Sequence, residues 1–251
     1  MFNLIKMDFY RLFRTKSFYV VGIILAIFIA MVMFSLGSND PELMNEYYAY
    51  DINNLQMIDL LYQTLMSGMI PMVIGIGAAI FICTDYNSGY IKNIASNVKN
   101  KPTIAISKFI VSSIGMTIYF ILMILLTYIL GNLYIGNVVI GDVSLLVQYV
   151  GMDFFLCLVF LALVLLAASF FRSSAASITL IVVSMMATQL GYRVIEHFLG
   201  INFIPYSPIM NMQMLNPVDT SGWTTAFISG IIFLIVYLVG SIVVLEKKDI
   251  T

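Results

Sequence analysis

Six long apolar stretches alternate with polar segments along this chain, and each is close to the length of a membrane-crossing helix. A hydrocarbon core about 30 Å thick takes about 20 apolar residues per helix, and the windows 17–36, 65–84, 109–130, 149–170, 175–192 and 224–245 meet that requirement. The pattern predicts an all-α polytopic membrane protein with six transmembrane helices in a single domain over 1–251. Ahead of the first window, Phe2, Ile5, Phe9, Leu12 and Phe13 recur at helical spacing, while Lys6, Asp8, Arg11 and Arg14 take the remaining arc. This predicts an interfacial amphipathic helix over 1–16, lying in the headgroup plane with its aromatic face immersed and its bases against anionic lipid.

Charge fixes the expected orientation. Lys6, Arg11, Arg14 and Lys16 precede the first window, and Lys92, Lys99, Lys101 and Lys108 lie between the second and third. Arg172 sits between the fourth and fifth, Lys247 and Lys248 follow the sixth, and only Arg193 of the 12 basic residues falls on the other side. The loop 37–64 carries Asp40, Glu42, Glu46, Asp51 and Asp59 without a base, and the loop 131–148 carries Asp142 alone. Short Lys- and Arg-rich loops stay inside, so both termini are expected in the cytoplasm of a bacterial cell, with the protein multi-pass in its cytoplasmic membrane.

Composition closes off other classes. At 61% apolar and 10% charged residues, with a mean hydropathy of +0.99, no large water-soluble domain fits. The first stretch is longer than the about 7–15 residues of a signal-peptide core, so it is expected to remain as a helix. Cys83 and Cys157 lack metal-ligand spacing and read as small apolar packing residues. No metal site and no nucleic-acid partner are expected.

The polar stretch from Asp85 to Ile94 is the longest segment offered to the cytosol. Tyr90, Ile91 and Ile94 form the apolar side of a short helix that Asn87 or Ser88 can cap, and such a helix suits docking to a partner protein. Asp85 ending the second window, Gly89 shortly after it, and Pro102 and Lys108 leading into the third together resemble the first cytoplasmic loop of the ATP-binding-cassette (ABC) type 2 permeases. The likeness extends to the amino-terminal helix, the six spans and a broken segment before the last. Asp85 departs from the Glu common in that family.

The resemblance implies the transmembrane subunit of an exporter whose ATP and Mg are bound by a separate cytoplasmic ABC ATPase. It further implies a coupling helix over 85–95 that includes Asp85, Tyr86, Gly89, Tyr90, Ile91 and Ile94. A second permease copy or a homologous permease would complete the pathway, with the second and fifth spans near the shared axis. No Gly-Lys pair occurs in the chain, so the phosphate-wrapping loop that ends in Gly-Lys-Ser or Gly-Lys-Thr is missing. The small permeases that the chain resembles include modulin-peptide exporters and lantibiotic immunity transporters. Amphipathic or antimicrobial peptides, or self-protection from a bacteriocin, are therefore the expected cargo, with lipid or small-drug efflux as the alternative.

The segment 193–222 carries Pro205, Pro208 and Pro217, with the apolar run 204–215 threaded among them. The segment is too broken to span, and the family implies re-entrant helices here, closing the outer mouth. Irregular backbone at membrane depth must be buried in protein or line water. Arg193 and Glu196, three apart, are candidates for a gate pair, worth about 1 kcal/mol or less at an interface. His197 reads as a surface loop residue. Asp153, just inside the fourth window, either marks the outer interface or lines a pathway, and Gln189 is open in the same way. Gly75, Gly77, Ala78 and Ala79 of the second window and Ala175, Ala176 and Ser177 of the fifth are candidate packing faces, and Pro71 is expected to kink the second span.

A secondary transporter would need ionisable or broken-helix sites at the midplane, and only Asp153 lies within a window. A membrane-embedded enzyme would need convergent acid, base and nucleophile. One His and scattered acids do not supply them.

Overall fold

The computed structural model describes residues 2–38, 55–90, 102–200 and 204–247, and among these the chain is helical with no strand. The helices are α1 (Phe2–Arg14), α2 (Lys16–Ser38), α3 (Met57–Met66), α4 (Met69–Asn87), α5 (Pro102–Tyr134), α6 (Val143–Phe171), α7 (Ser174–Leu199), α8 (Pro208–Met214) and α9 (Trp223–Lys247), with a 3₁₀ turn over Ile204–Tyr206. Helices α2, α4, α5, α6 and α9 are each long and apolar enough to cross a membrane, and α7 makes a sixth if its two bent halves count as one span.

A helix apolar on all sides has no amphipathic face to choose, so packing decides what it buries. In α2, Val21, Leu25, Ile29 and Met33 recur every four residues and are buried, whereas Ile23, Ile24, Ile27, Met31 and Phe34 stay exposed. One stripe therefore faces the bundle and the rest is left for lipid. Helix α6 is the centre of the bundle, with Leu156, Val159, Ala162, Val164 and Ala168 at zero exposure. Close approach of α9 depends on Gly230, where an added Cβ would meet the ring of Phe155.

At one end of the bundle, Asp142 caps α6 by accepting from Ser144 N at 2.8 Å and Leu145 N at 3.3 Å, and Val139 pairs through its backbone with Leu55 and Met57. Replacing Asp142 with Ala is expected to cost about 1 kcal/mol, the usual loss for an N-cap. A thermal melt in detergent reads it as a few degrees.

Three expectations change. The apolar window 65–84 is not one helix: the chain breaks at Ser67 and Gly68, and Gly68 has φ of 67°. The second span therefore starts at Met69, and α3 precedes it as a separate helix. Pro71 consequently lies in the first turn of α4, where its missing N–H is no loss, and it does not kink the span. The fifth helix does not stop at Tyr192 but continues to Leu199, bending by 40° between Ser174–Thr188 and Leu190–Phe198. Arg193, Glu196 and His197 are thus helical rather than in a loop.

Candidate functional site

The opposite end of the bundle carries its most concentrated polar chemistry. Helix α1 buries Leu4, Asp8 and Leu12, which recur at four-residue intervals and face α5. Thr15 then ends the helix, its hydroxyl donating to Arg11 O at 2.7 Å. Asp8 is fully buried. It accepts from Ser107 Oγ at 2.7 Å and from Lys108 Nζ at 2.6 Å. Lys108, only 3% exposed, also pairs with Asp85 at the end of α4. Asp85 in turn pairs with Arg11, and Arg11 returns to Asp8 at 4.0 Å.

Two carboxylates and two cations from three helices thus form a closed, electrically neutral knot. Neutrality matters, because an unpaired charge is far costlier here than a paired one. Lys108 Nζ also lies 4.8 Å from the centre of the Phe81 ring. The Arg11 guanidinium lies 4.2 Å over Tyr90, whose hydroxyl contacts Met7 Sδ at 2.6 Å.

The knot sits where α4 turns toward the stretch 91–101. Helix α4 stops after Asn87, with Gly89 at φ of 67°, and Asn87 Nδ2 donates to Ser174 Oγ of α7 at 3.2 Å. Tyr86 is half-buried beneath the Arg172 guanidinium, 5.7 Å from its ring centre. Among the described residues an added Cβ at Gly89 meets nothing within 4 Å, and the left-handed backbone is what favours glycine there. Gly89→Asn, which tolerates that conformation, is expected to keep more activity and stability than Gly89→Val. Equal behaviour of the two in a transport assay and a melt would contradict this.

A second polar position lies toward the α8 end. Asp153 of α6 is fully buried, with Cys157 Sγ 4.0 Å from its Oδ2, so it faces protein. Among the described residues no three His, Cys, Asp or Glu side chains gather as a metal cluster.

The sequence profile of the ABC-2 family transporter proteins matches residues 4–188. That span runs from α1, through every member of the knot, to the bend in α7. The chain belongs to the ABC-2 transporter family. Membership makes it a multi-pass membrane transport subunit and implies a partner ABC ATPase. No curated protein matches the chain significantly.

Within this ABC-2 permease the residues singled out from sequence fall into distinct places. Asp85 is buried in the knot, so its carboxylate faces other helices and not a docking surface. Arg11 is held by Asp85 and Tyr90, whereas Lys6, Phe9 and Arg14 are exposed and Phe13 is half-buried. Phe13 stacks edge-on between Phe9 and Phe18 at 4.9 and 5.2 Å. Ile91 and Ile94 lie outside the described residues, as do the side chains of Gln189 and Arg193. Glu196 is exposed near the end of α7.

Asp8, assigned by periodicity to a solvated arc, proves to be the most deeply buried charge of α1. Ser107 was not foreseen, and Lys108 was read as a loop base although α5 begins at Pro102. A local signal existed in Leu4, Asp8 and Leu12, one buried stripe at spacing four.

Proposed function

We infer that this permease is the transmembrane half of an exporter that moves amphipathic or antimicrobial peptides, with ATP and Mg on the partner ATPase. The observation that carries the coupling part of this reading is the neutral knot. It ties the end of α4 to α1 and α5, so a push delivered to the segment after Tyr90 acts on three helices as one unit. In this reading 85–95 is the segment that meets the ATPase. Asp85 is a positioning residue within it, and Tyr86, Gly89 and Tyr90 shape its exit from α4.

Helix α1 presents Phe2 and Phe9 outward, 80% and 40% exposed, a face suited to immersion among membrane lipids. Topologically, both termini are cytoplasmic and the membrane is that of a bacterial cell. A second copy or a homologous permease completes the pathway across α4 and α7. Short helix α8, buried through Pro208, Met210, Met212 and Gln213, forms the outer closure together with the α7 end that carries Gln189, Arg193 and Glu196.

The test is reconstitution of the permease with its ATPase in proteoliposomes and measurement of ATP-dependent movement of a labelled amphipathic helical peptide. Movement of the peptide, lost in an ATPase-dead partner, is the expected result. Movement of a labelled lipid or small drug without the peptide would reassign the cargo.

A further inference from the structure

Asp153 and the two sulfur atoms beside it have no part in the coupling end. Cys157 follows Asp153 by four residues on α6, so both project from one helix face. Met212 of α8 lies across from them, with its Sδ 3.5 Å from Cys157 Sγ. All three are essentially sealed from solvent, at 0% for Asp153 and 2% each for Cys157 and Met212. The Asp153 Oδ1 atom has no hydrogen-bond partner, and among the described residues no ion pair reaches this carboxylate. A carboxylate inside a membrane-spanning helix normally has a cation, a donor or water to offset it. This one has beside it the Cys157 thiol, which in turn touches the Met212 thioether.

We propose that Asp153, Cys157 and Met212 form a binding site for a soft monovalent metal ion, Cu(I). Thiolate and thioether donors select Cu(I) over hard cations. Two sulfurs each about 2.3 Å from a trigonally held ion stand about 4 Å apart, so from the observed 3.5 Å the Met212 side chain withdraws by about half an ångström to admit it.

Binding balances in charge. The Cys157 thiol gives up its proton, which leaves to solvent while α8 is displaced, the thiolate forms the S–Cu bond, and Met212 Sδ donates a lone pair. The charge of the ion is matched by that of the thiolate, leaving a neutral site inside an apolar bundle. No electron is transferred. Cys157 belongs to the scaffold helix α6 and Met212 to the covering helix α8, with Asp153 beside the thiolate as a supporting group, so displacement of α8 opens the site and its return closes it.

The full-length purified permease is incubated with silver(I), a redox-inert ion of the same charge and softness, and with Cu(I) under ascorbate, then desalted and analysed for bound metal. One ion per chain is expected. Cys157→Ser should reduce it to background, Met212→Leu should weaken it at least tenfold, and Asp153→Asn by about 10–100-fold as a supporting group. Cys83→Ser is the control. Cys83 is the other buried free cysteine, and its neighbour at 3.6 Å is the Ser177 hydroxyl, a hard partner. Silver should also raise the melting temperature of the wild type and of Cys83→Ser, but not of Cys157→Ser. No retained metal, or equal retention in wild type and Cys157→Ser, would overturn the site, as would equal loss in Cys83→Ser and Cys157→Ser. None of these readouts depends on the cargo or on the ATPase.

Discussion

Replacing Lys108 by Met is expected to destabilise the permease by about 3–5 kcal/mol, the usual result of removing one partner from a buried charge pair. The substitution conserves length and apolar stem, so the loss reports charge. It leaves Asp8 and Asp85 facing Arg11 alone, with one negative charge uncompensated at positions that are fully buried. Asp85→Lys is expected to do the same with opposite sign, placing three cations against Asp8.

The decisive variant is the double substitution Asp8→Asn with Lys108→Met. It removes one charge of each sign and keeps the Arg11 and Asp85 pair. It should recover part of the loss, with a coupling energy of about 0.5–3 kcal/mol. Thermal unfolding of the detergent-solubilised protein measures all of these. A double variant no more stable than Lys108→Met would show that the four charges do not act as a unit.

The second large effect is expected at Gly68, the break between α3 and α4. Two independent demands meet there. Its φ of 67° lies in the left-handed region, and a Cβ would stand 2.8 Å from the Nε2 atom of Gln213 on α8. Gly68→Val therefore carries about 1–2 kcal/mol of backbone strain and about 1–3 kcal/mol of overpacking. The Gln213 side chain must also move aside from its buried place on α8. Gly151→Ala is the matched control, since nothing lies within 4 Å of an added Cβ and its backbone is ordinary helix. That variant should stay within about 0.5 kcal/mol of wild type. A Gly68→Val protein with an unchanged melt would mean that α8 is not held against this break.

These two sites show where the sequence speaks and where it is silent. The spans were readable because each apolar run is long enough to cross and the bases gather at alternate turns. That signal is local, and α2, α5, α6 and α9 follow it closely. The start of α4 was missed because Ser67 and Gly68 are two small residues inside an otherwise apolar window, and hydropathy does not register a single left-handed glycine. In hindsight, Gly68 followed three residues later by Pro71 is the grammar of a helix beginning.

The coupling end was legible in part. Asp85 stood out as an acid ending a span, but its partners could not be read, because residues 8, 11, 85, 107 and 108 meet only through tertiary packing of α1, α4 and α5. Asp8 was misplaced because, three residues before Arg11, it falls beside that base on a wheel, and a wheel cannot say which polar residue turns inward. At the other end, Asp153 was noticed for its depth, whereas Met212 comes from a broken segment with no period that points to Cys157.

The central claim is that this ABC-2 permease is driven by a separate ATPase through the end of the bundle where the knot lies. The most direct measurement places a photo-crosslinking residue at Tyr90 in the tagged protein, irradiates native membranes, purifies the permease gently and identifies covalent partners by mass spectrometry. An ABC ATPase recovered in stoichiometric amount and crosslinked at position 90, but not from a matched probe at Val139 on the opposite end, is the predicted result. A permease recovered alone, or an ATPase joined equally well at both ends, would contradict the account.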